Sequence, residues 1–229
     1  GITLHGQFII KWCERTINDE LNKLLDTNED YVIAIDTDSV YVNFSKFVEK
    51  FQPEDPVQFL SKVCEEHFNP MFEKSMEELA GHTNAYKNRM VMEREVIADR
   101  GIWQAKKRYI LNVHNSEGVQ YAEPKMKIMG IEAIKSSTPQ VCRDKFKDVF
   151  KLMIAGDKDA TQKFIQNFKK EFRSLRPEEA AFPRAVTELD KWSDTKIIYK
   201  KGTPIHVRGS LLYNHLLQYH GLKNYEDIK

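Results

Sequence analysis

Cysteine is scarce: three residues in 229, with Cys13, Cys64 and Cys142 far apart and in no ligand-like spacing. An odd, scattered set argues against a disulfide framework and for buried or free thiols in a reducing compartment. Long apolar runs are missing too. No window approaches the roughly 18–20 consecutive apolar residues of a membrane-spanning helix, so no membrane partner is expected. Residues 1–11 have neither a cationic start nor a cleavage site, so no secretory signal is expected. The histidines, including His67, His206 and His215, form no ligand cluster, and no internal repeat or low-complexity tract appears.

What is present is charge, unevenly placed. The formal net charge is +1, but residues 1–85 carry 7 Lys+Arg against 16 Asp+Glu, and residues 86–229 carry 28 against 18. An acidic first third and a basic remainder fit a chain whose later part faces a polyanion. Lysines that merely solvate helix faces would give the same totals, so charge alone leaves both readings open.

Apolar residues at Leu4, Phe8, Ile9, Trp12, Ile17, Leu21 and Leu24 approach a 3.6-residue period and predict an amphipathic helix over 3–25. Two β-rich runs, 31–35 and 40–44, flank Asp36-Thr37-Asp38-Ser39 and predict a hairpin. Residues 57–79 read as helical, with a kink or break at Pro70 and with Trp12, Phe68 and Phe72 as core. Alternation predicts strands over 88–97 and 102–113, a turn at Asn115–Gly118 and a returning strand from Val119. Ser136-Ser-Thr-Pro139 predicts a hydroxyl-capped helix start. Helix then continues to about Leu175 with an interruption at Gly156-Asp157, followed by an irregular stretch and a short helix over 211–219. The expected class is α+β: an antiparallel sheet with packed helices over 1–138, then a mostly helical unit over 139–229.

Asp36 and Asp38 are the most informative pair. Two positions apart on a strand, their carboxylates share a face at the hairpin tip. Such a pair repels unless a cation sits between, and an all-oxygen site suits Mg²⁺ or Mn²⁺. Phosphoryl transfer uses that arrangement to clamp triphosphate oxygens. Plain turn chemistry by Asp and Ser is the alternative, weakened here by two flanks that pin the pair to a half-buried sheet.

Asp36-Thr-Asp-Ser39 followed by Val40-Tyr-Val42 resembles the third polymerase motif of the family B DNA polymerases. Gly101-Ile-Trp-Gln-Ala-Lys-Lys-Arg-Tyr109, Tyr121-Ala-Glu-Pro-Lys-Met-Lys-Ile-Met-Gly130, Lys135-Ser-Ser-Thr-Pro139 and His206-Val-Arg-Gly-Ser-Leu-Leu-Tyr-Asn214 resemble, in order and spacing, blocks of the T-even-type bacteriophage members. The likeness runs from about Ile2 to Asn214.

The resemblance implies a DNA-directed DNA polymerase portion: the back of the palm over 1–138 and an incomplete thumb over 139–229. It implies Asp36 and Asp38 as metal carboxylates, with Thr37 and Ser39 supporting them. Glu95 and Glu93 would support the site from a neighbouring acidic strand; an exposed strand face with alternating charge is the other reading of those two. Lys106, Lys107, Arg108 and Tyr109 would bind DNA, with Lys107 and Tyr109 holding the primer terminus, unless the four form only a solvated edge. Lys127, Gly130 and Lys135, with Lys125 beside them, would meet duplex backbone, as would Arg208 and Tyr213. Expected partners are primer–template DNA, a dNTP and an N-terminal polymerase half. The expected setting is a viral protein in the cytoplasm of an infected bacterium.

Two departures stand out. Family members carry Tyr-Gly where this chain has Ala34-Ile35, which changes how closely nucleotide or primer approaches the hairpin shoulder. The exonuclease domain, the first polymerase motif with its metal-binding Asp and the second with its triphosphate-binding Lys are not found. The chain alone is therefore expected to be inactive, a split subunit or excised portion whose two-metal site another carboxylate completes. A non-catalytic DNA-binding relic is the alternative. A glycosyltransferase Asp-x-Asp site would need an upstream βαβ region, and the 35 residues before Asp36 are mostly one helix.

Overall fold

The apolar period of the first residues produces α1, Ile2–Leu25, in the computed structural model, which describes residues 1–221. Ile9, Ile10, Cys13, Ile17 and Leu21 form its buried stripe. Leu4 and Phe8 remain exposed. Asp26 ends the helix in the left-handed conformation (φ 57°), its N–H donating to the Asn22 carbonyl. Ile17 and Leu21 are 2% and 0% exposed, and burying each contributes about 1.5–3 kcal/mol.

The hairpin follows as expected. β1 (Val32–Asp36) and β2 (Ser39–Val42) pair antiparallel with Asp36 opposite Ser39. Beyond it come α2 (Ser45–Phe51), α3 (Pro56–Val63) and α4 (Asn69–His82). Asp55 starts α3 by accepting from the Val57 and Gln58 N–H groups. Pro70 has no N–H to continue the i→i−4 ladder, and the backbone passes through one π turn, Cys64–Phe68, just before it. One apolar cluster joins Ile17, Leu21, Tyr31, Phe47, Cys64 and Phe68, with Phe72 against it. A second joins Ile9, Cys13, Met76 and Leu79, with Trp12 and Phe72 at its rim. The Trp12 indole N–H donates to the Ser75 hydroxyl at 2.7 Å. This places Trp12, Phe68 and Phe72 in the core, as the sequence predicts.

Three antiparallel strands form the main sheet in the order β3 (Val96–Ala105), β4 (Arg108–Ser116), β5 (Val119–Met129). β4 is covered on both faces. Tyr109, Leu111 and Val113 face Tyr41 of the hairpin, Trp103 and Tyr121. Ile110 faces the other way, onto Val149 and Phe150. The sheet is thus the middle layer, between the carboxylate hairpin and the helices that follow.

Those helices are α5 (Gln140–Ala155) and α6 (Lys158–Arg173). Gly156, at φ 79°, caps α5, and the Asp157 carboxylate accepts the Ala160 N–H to start α6, which is the interruption read at those residues. The cluster of Ile110, Ile131, Ala133, Val149 and Phe150 spans residues on both sides of position 138. The chain then passes through α7 (Pro177–Ala180), α8 (Leu189–Trp192), a two-residue-per-strand hairpin of β6 (Ser193–Asp194) and β7 (Ile198–Tyr199), and α9 (Ile205–Tyr219). Residues 222–229 of the expected second unit lie outside the described residues. Helices packed on an antiparallel sheet make this an α+β fold.

Four local expectations need correction. Residues 88–95 are not a strand; pairing begins at Val96, because the segment docks Met92 and Arg94 without a strand beside it to bond. The strand expected over 102–113 is a hairpin, turning at Lys106-Lys107 between Ala105 and Arg108. No hydroxyl caps α5: Pro139 itself occupies the cap, and Thr138 is buried with its N–H on the Lys135 carbonyl. Finally, α9 begins at Ile205, six residues before the expected start, because Pro204 sits at its cap, where a missing N–H costs nothing.

Candidate functional site: a carboxylate hairpin facing a basic turn

The Thr37-Asp38 turn of the hairpin is tight, with Thr37 at φ 51° and the Asp38 N–H donating to the Asp36 carbonyl at 2.6 Å. The Ser39 hydroxyl donates to that same carbonyl, and the Thr37 hydroxyl donates to Asp36 Oδ1 at 3.1 Å. Side-chain oxygens therefore hold the loop in shape, the local reason for hydroxyls on both sides of Asp38. The two carboxylates differ in setting: the Asp36 side chain is 21% exposed, whereas Asp38 is exposed at the tip.

Opposite lies the β3–β4 turn. Lys107 Nζ stands 3.1 Å from Asp36 Oδ1 and donates to the Thr37 hydroxyl at 3.2 Å. The two motifs, 70 residues apart, meet at this contact. Lys106 and Lys107 occupy the turn itself, so strand alternation does not set their faces; Arg108 and Tyr109 open β4. Lys107 adopts a left-handed φ of 61°, unusual for a residue with a long side chain.

Gly130 explains how that turn is held. Its φ is 64°, and a Cβ there would lie 2.0 Å from the Lys107 carbonyl oxygen. Only glycine lets the end of β5 close over the turn. The close approach made by Gly130 is therefore to the chain's own backbone.

Tyr109 is buried, 6% exposed, with its ring centroid 5.4 Å from Tyr41, which in turn lies 5.5 Å from Trp103. Burial first, then the Tyr41 side chain and the charges of Glu95 and Asp36, pushes the Tyr109 phenol above its ordinary range. The phenol stays protonated at neutral pH and remains a donor.

Around this centre run further pairs. Lys127 Nζ meets Glu95 Oε1 at 2.7 Å, while Glu93 is exposed. Glu132 takes Lys135 at 3.0 Å and Arg108 at 3.7 Å, and the Lys135 hydrogen bond foremost holds its carboxyl below the usual range. Lys125 Nζ sits 4.1 Å over the Tyr121 ring. Arg208 belongs elsewhere: its Nε donates to the Thr203 carbonyl at 2.7 Å, and its guanidinium lies over Tyr199. Among the described contacts none links Arg208 or Tyr213 to the hairpin. Ala34 and Ile35 pair with Tyr41 and Val40 as ordinary strand residues after a bulge.

Sequence reading missed two participants. Glu132 links Arg108 to Lys135, and no spacing ties positions 108 and 132. Tyr41 packs on Tyr109, and no spacing ties positions 41 and 109.

The chain, with its carboxylate hairpin set against a basic turn on a layered α+β frame, is related to the DNA-directed DNA polymerases of T4-like phages. It is 35% identical over 228 residues to the DNA-directed DNA polymerase of Enterobacteria phage T4, covering 93% of this chain and 25% of that protein. Against the DNA-directed DNA polymerase of Escherichia phage RB69 it is 35% identical over 233 residues, covering 95% and 26%. The chain thus spans about a quarter of the length of the curated relatives it matches. No protein-family model matches it.

Proposed function

We propose that the chain supplies the carboxylate-hairpin part of the palm, over residues 1–138, and thumb structure, over 139–229, of a phage DNA-directed DNA polymerase. The reaction is nucleotidyl transfer from a dNTP to a primer 3′ end, on primer–template DNA, in the cytoplasm of an infected bacterium. What supports this above all is the contact of Asp36 with Lys107 at 3.1 Å, which brings the carboxylate hairpin and the basic turn together.

Asp36 and Asp38 fit a hard divalent cation in donor chemistry, Mg²⁺ first and Mn²⁺ second. Among the described residues no three His, Cys, Asp or Glu side chains gather closely enough to hold an ion. On this proposal the pair is a half-site, which triphosphate oxygens and a carboxylate from an N-terminal polymerase half would complete. When bound, the metals polarise the transferred phosphate and ease deprotonation of the attacking hydroxyl. The chain's own residues do the rest. Asp36 and Asp38 hold and orient; Thr37 and Ser39 fix the tip. Lys107 and Arg108 neutralise primer phosphates, with Lys106, Lys127 and Lys135 along the same edge and Arg208 farther along the duplex. Tyr109 stiffens the turn from below, its phenol held as a donor, and Glu95 anchors Lys127.

Mg²⁺-dependent primer extension tests the proposal, with this chain alone and with an exonuclease-plus-first-palm half added. Extension in the mixture supports it. Silence in a mixture that still binds primer–template would point instead to a DNA-binding relic.

A further inference from the structure

The first 85 residues are acidic, yet all of their carboxylates lie between Glu14 and Glu78. Residues 1–13 contain no Asp or Glu, and neither do residues 83–92. Both stretches leave the same apolar cluster. Ile9 and Cys13 enter it from α1, Met76 and Leu79 from α4, and Met92 packs against it from the segment after α4. Trp12 links them, its ring 6.4 Å from Phe8 and 5.9 Å from His82 at the end of α4. Outside that cluster the apolar side chains are uncovered. Ile2 is 94% exposed, Leu4 69% and Val91 72%, while Tyr86 is fully exposed and Phe8 and Met90 are half-covered.

A group of large apolar side chains open to solvent and rimmed by charge is the mark of a protein–protein contact. The rim here is Lys11, Lys87 and Arg89, all exposed. A second copy of the chain would bring the same three cations and, from these stretches, no carboxylate to meet them. A different polypeptide can supply the acids. The relatives show how much polypeptide is available: this chain covers 25% and 26% of the two phage polymerases, so most of such a polymerase lies outside it. We propose that the first turns of α1 and residues 86–91 form the face on which the remaining polymerase polypeptide docks, through an apolar patch edged with Asp and Glu. This rests on the reading of the chain as one part of a polymerase. The face is separate from the hairpin and the basic turn.

The test is a titration of the chain with the exonuclease-plus-first-palm half, for wild type, Leu4→Asp, Val91→Asp and, as a control, Ile197→Asp in the β6–β7 turn. All three positions are exposed, and Leu4→Asp puts a carboxylate in the first turn of α1, where it favours the helix, so each variant should keep the wild-type urea midpoint. Leu4→Asp and Val91→Asp should weaken binding of the half about tenfold or more, the size of losing an interface anchor, and Ile197→Asp should leave it unchanged. Light scattering should find the wild-type chain alone monomeric. Equal affinity of all four forms for the half would overturn the docking face and leave the polymerase reading standing. A wild-type dimer that Leu4→Asp dissociates would overturn the proposal in favour of a second copy. Weaker primer–template binding by Leu4→Asp and Val91→Asp alone would overturn it in favour of a DNA-facing surface. No binding of the half by wild type would overturn both the face and the reading it rests on.

Discussion

Replacing Gly130 with alanine should damage the chain more than any other glycine substitution near the sheet, for two separable reasons. The first is conformational: at φ 64° an L residue sits in the left-handed region, which costs about 1–2 kcal/mol. The second is steric: the new Cβ would lie 2.0 Å from the Lys107 carbonyl oxygen, a backbone atom with no rotamer to escape into. Forcing the β5 end from the turn is overpacking, worth a further ~1–3 kcal/mol. Gly118 provides the control. It also has positive φ, 83°, yet a Cβ there meets nothing within 4 Å. Gly118→Ala should therefore lose only the first amount. Calorimetric or urea unfolding of both variants isolates the clash as their difference, about 1–3 kcal/mol. Primer–template affinity should fall for Gly130→Ala alone, because only that change moves the turn bearing Lys107. Equal stability of the two variants would refute the idea that Gly130 clamps the turn.

Asp55→Ala should cost about 1 kcal/mol in urea unfolding, because two N–H groups at the start of α3 lose their acceptor. Cys13 and Cys64 are buried and their thiols are pushed up to about 11 by burial, whereas Cys142 is partly exposed. Timed iodoacetamide labelling at pH 8 should therefore modify Cys142 first; early labelling of Cys13 would contradict the packing. The sign of the pH dependence follows. The fold favours both protonated thiols, so their contribution is complete below about 9 and is lost as pH rises towards about 11. Urea midpoints at pH 8 and pH 10.5 should show the decline, and Cys13→Ala should flatten it.

How much of this was legible in the sequence depends on whether local chemistry or tertiary contact sets each element. The carboxylate hairpin was readable because its own Thr and Ser hydroxyls shape the tip and its flanks alternate. The Gly156-Asp157 break was readable because a left-handed glycine and an aspartate cap are local signals. The Lys106-Lys107 turn was not, since two lysines carry no turn preference. Its left-handed Lys107 lies against Gly130, more than twenty residues away, and Asp36, about seventy residues away. Residues 88–95 alternate like a strand because Met92 and Arg94 dock while Val91, Glu93 and Glu95 stay exposed, and alternation cannot report whether a neighbouring strand exists. The buried setting of Tyr109 was also hidden: a tyrosine after three cations reads as a surface group until Tyr41 and Trp103 are seen to enclose it.

The central claim is that the hairpin does chemistry while the basic turn holds DNA, and Asp38→Asn separates the two. Asp38 is exposed and unpaired among the described residues, so the variant should fold and bind primer–template at least as tightly as wild type. In Mg²⁺-dependent extension with the complementing polymerase half, that same variant should be inactive. Extension at the wild-type rate by Asp38→Asn would contradict the account.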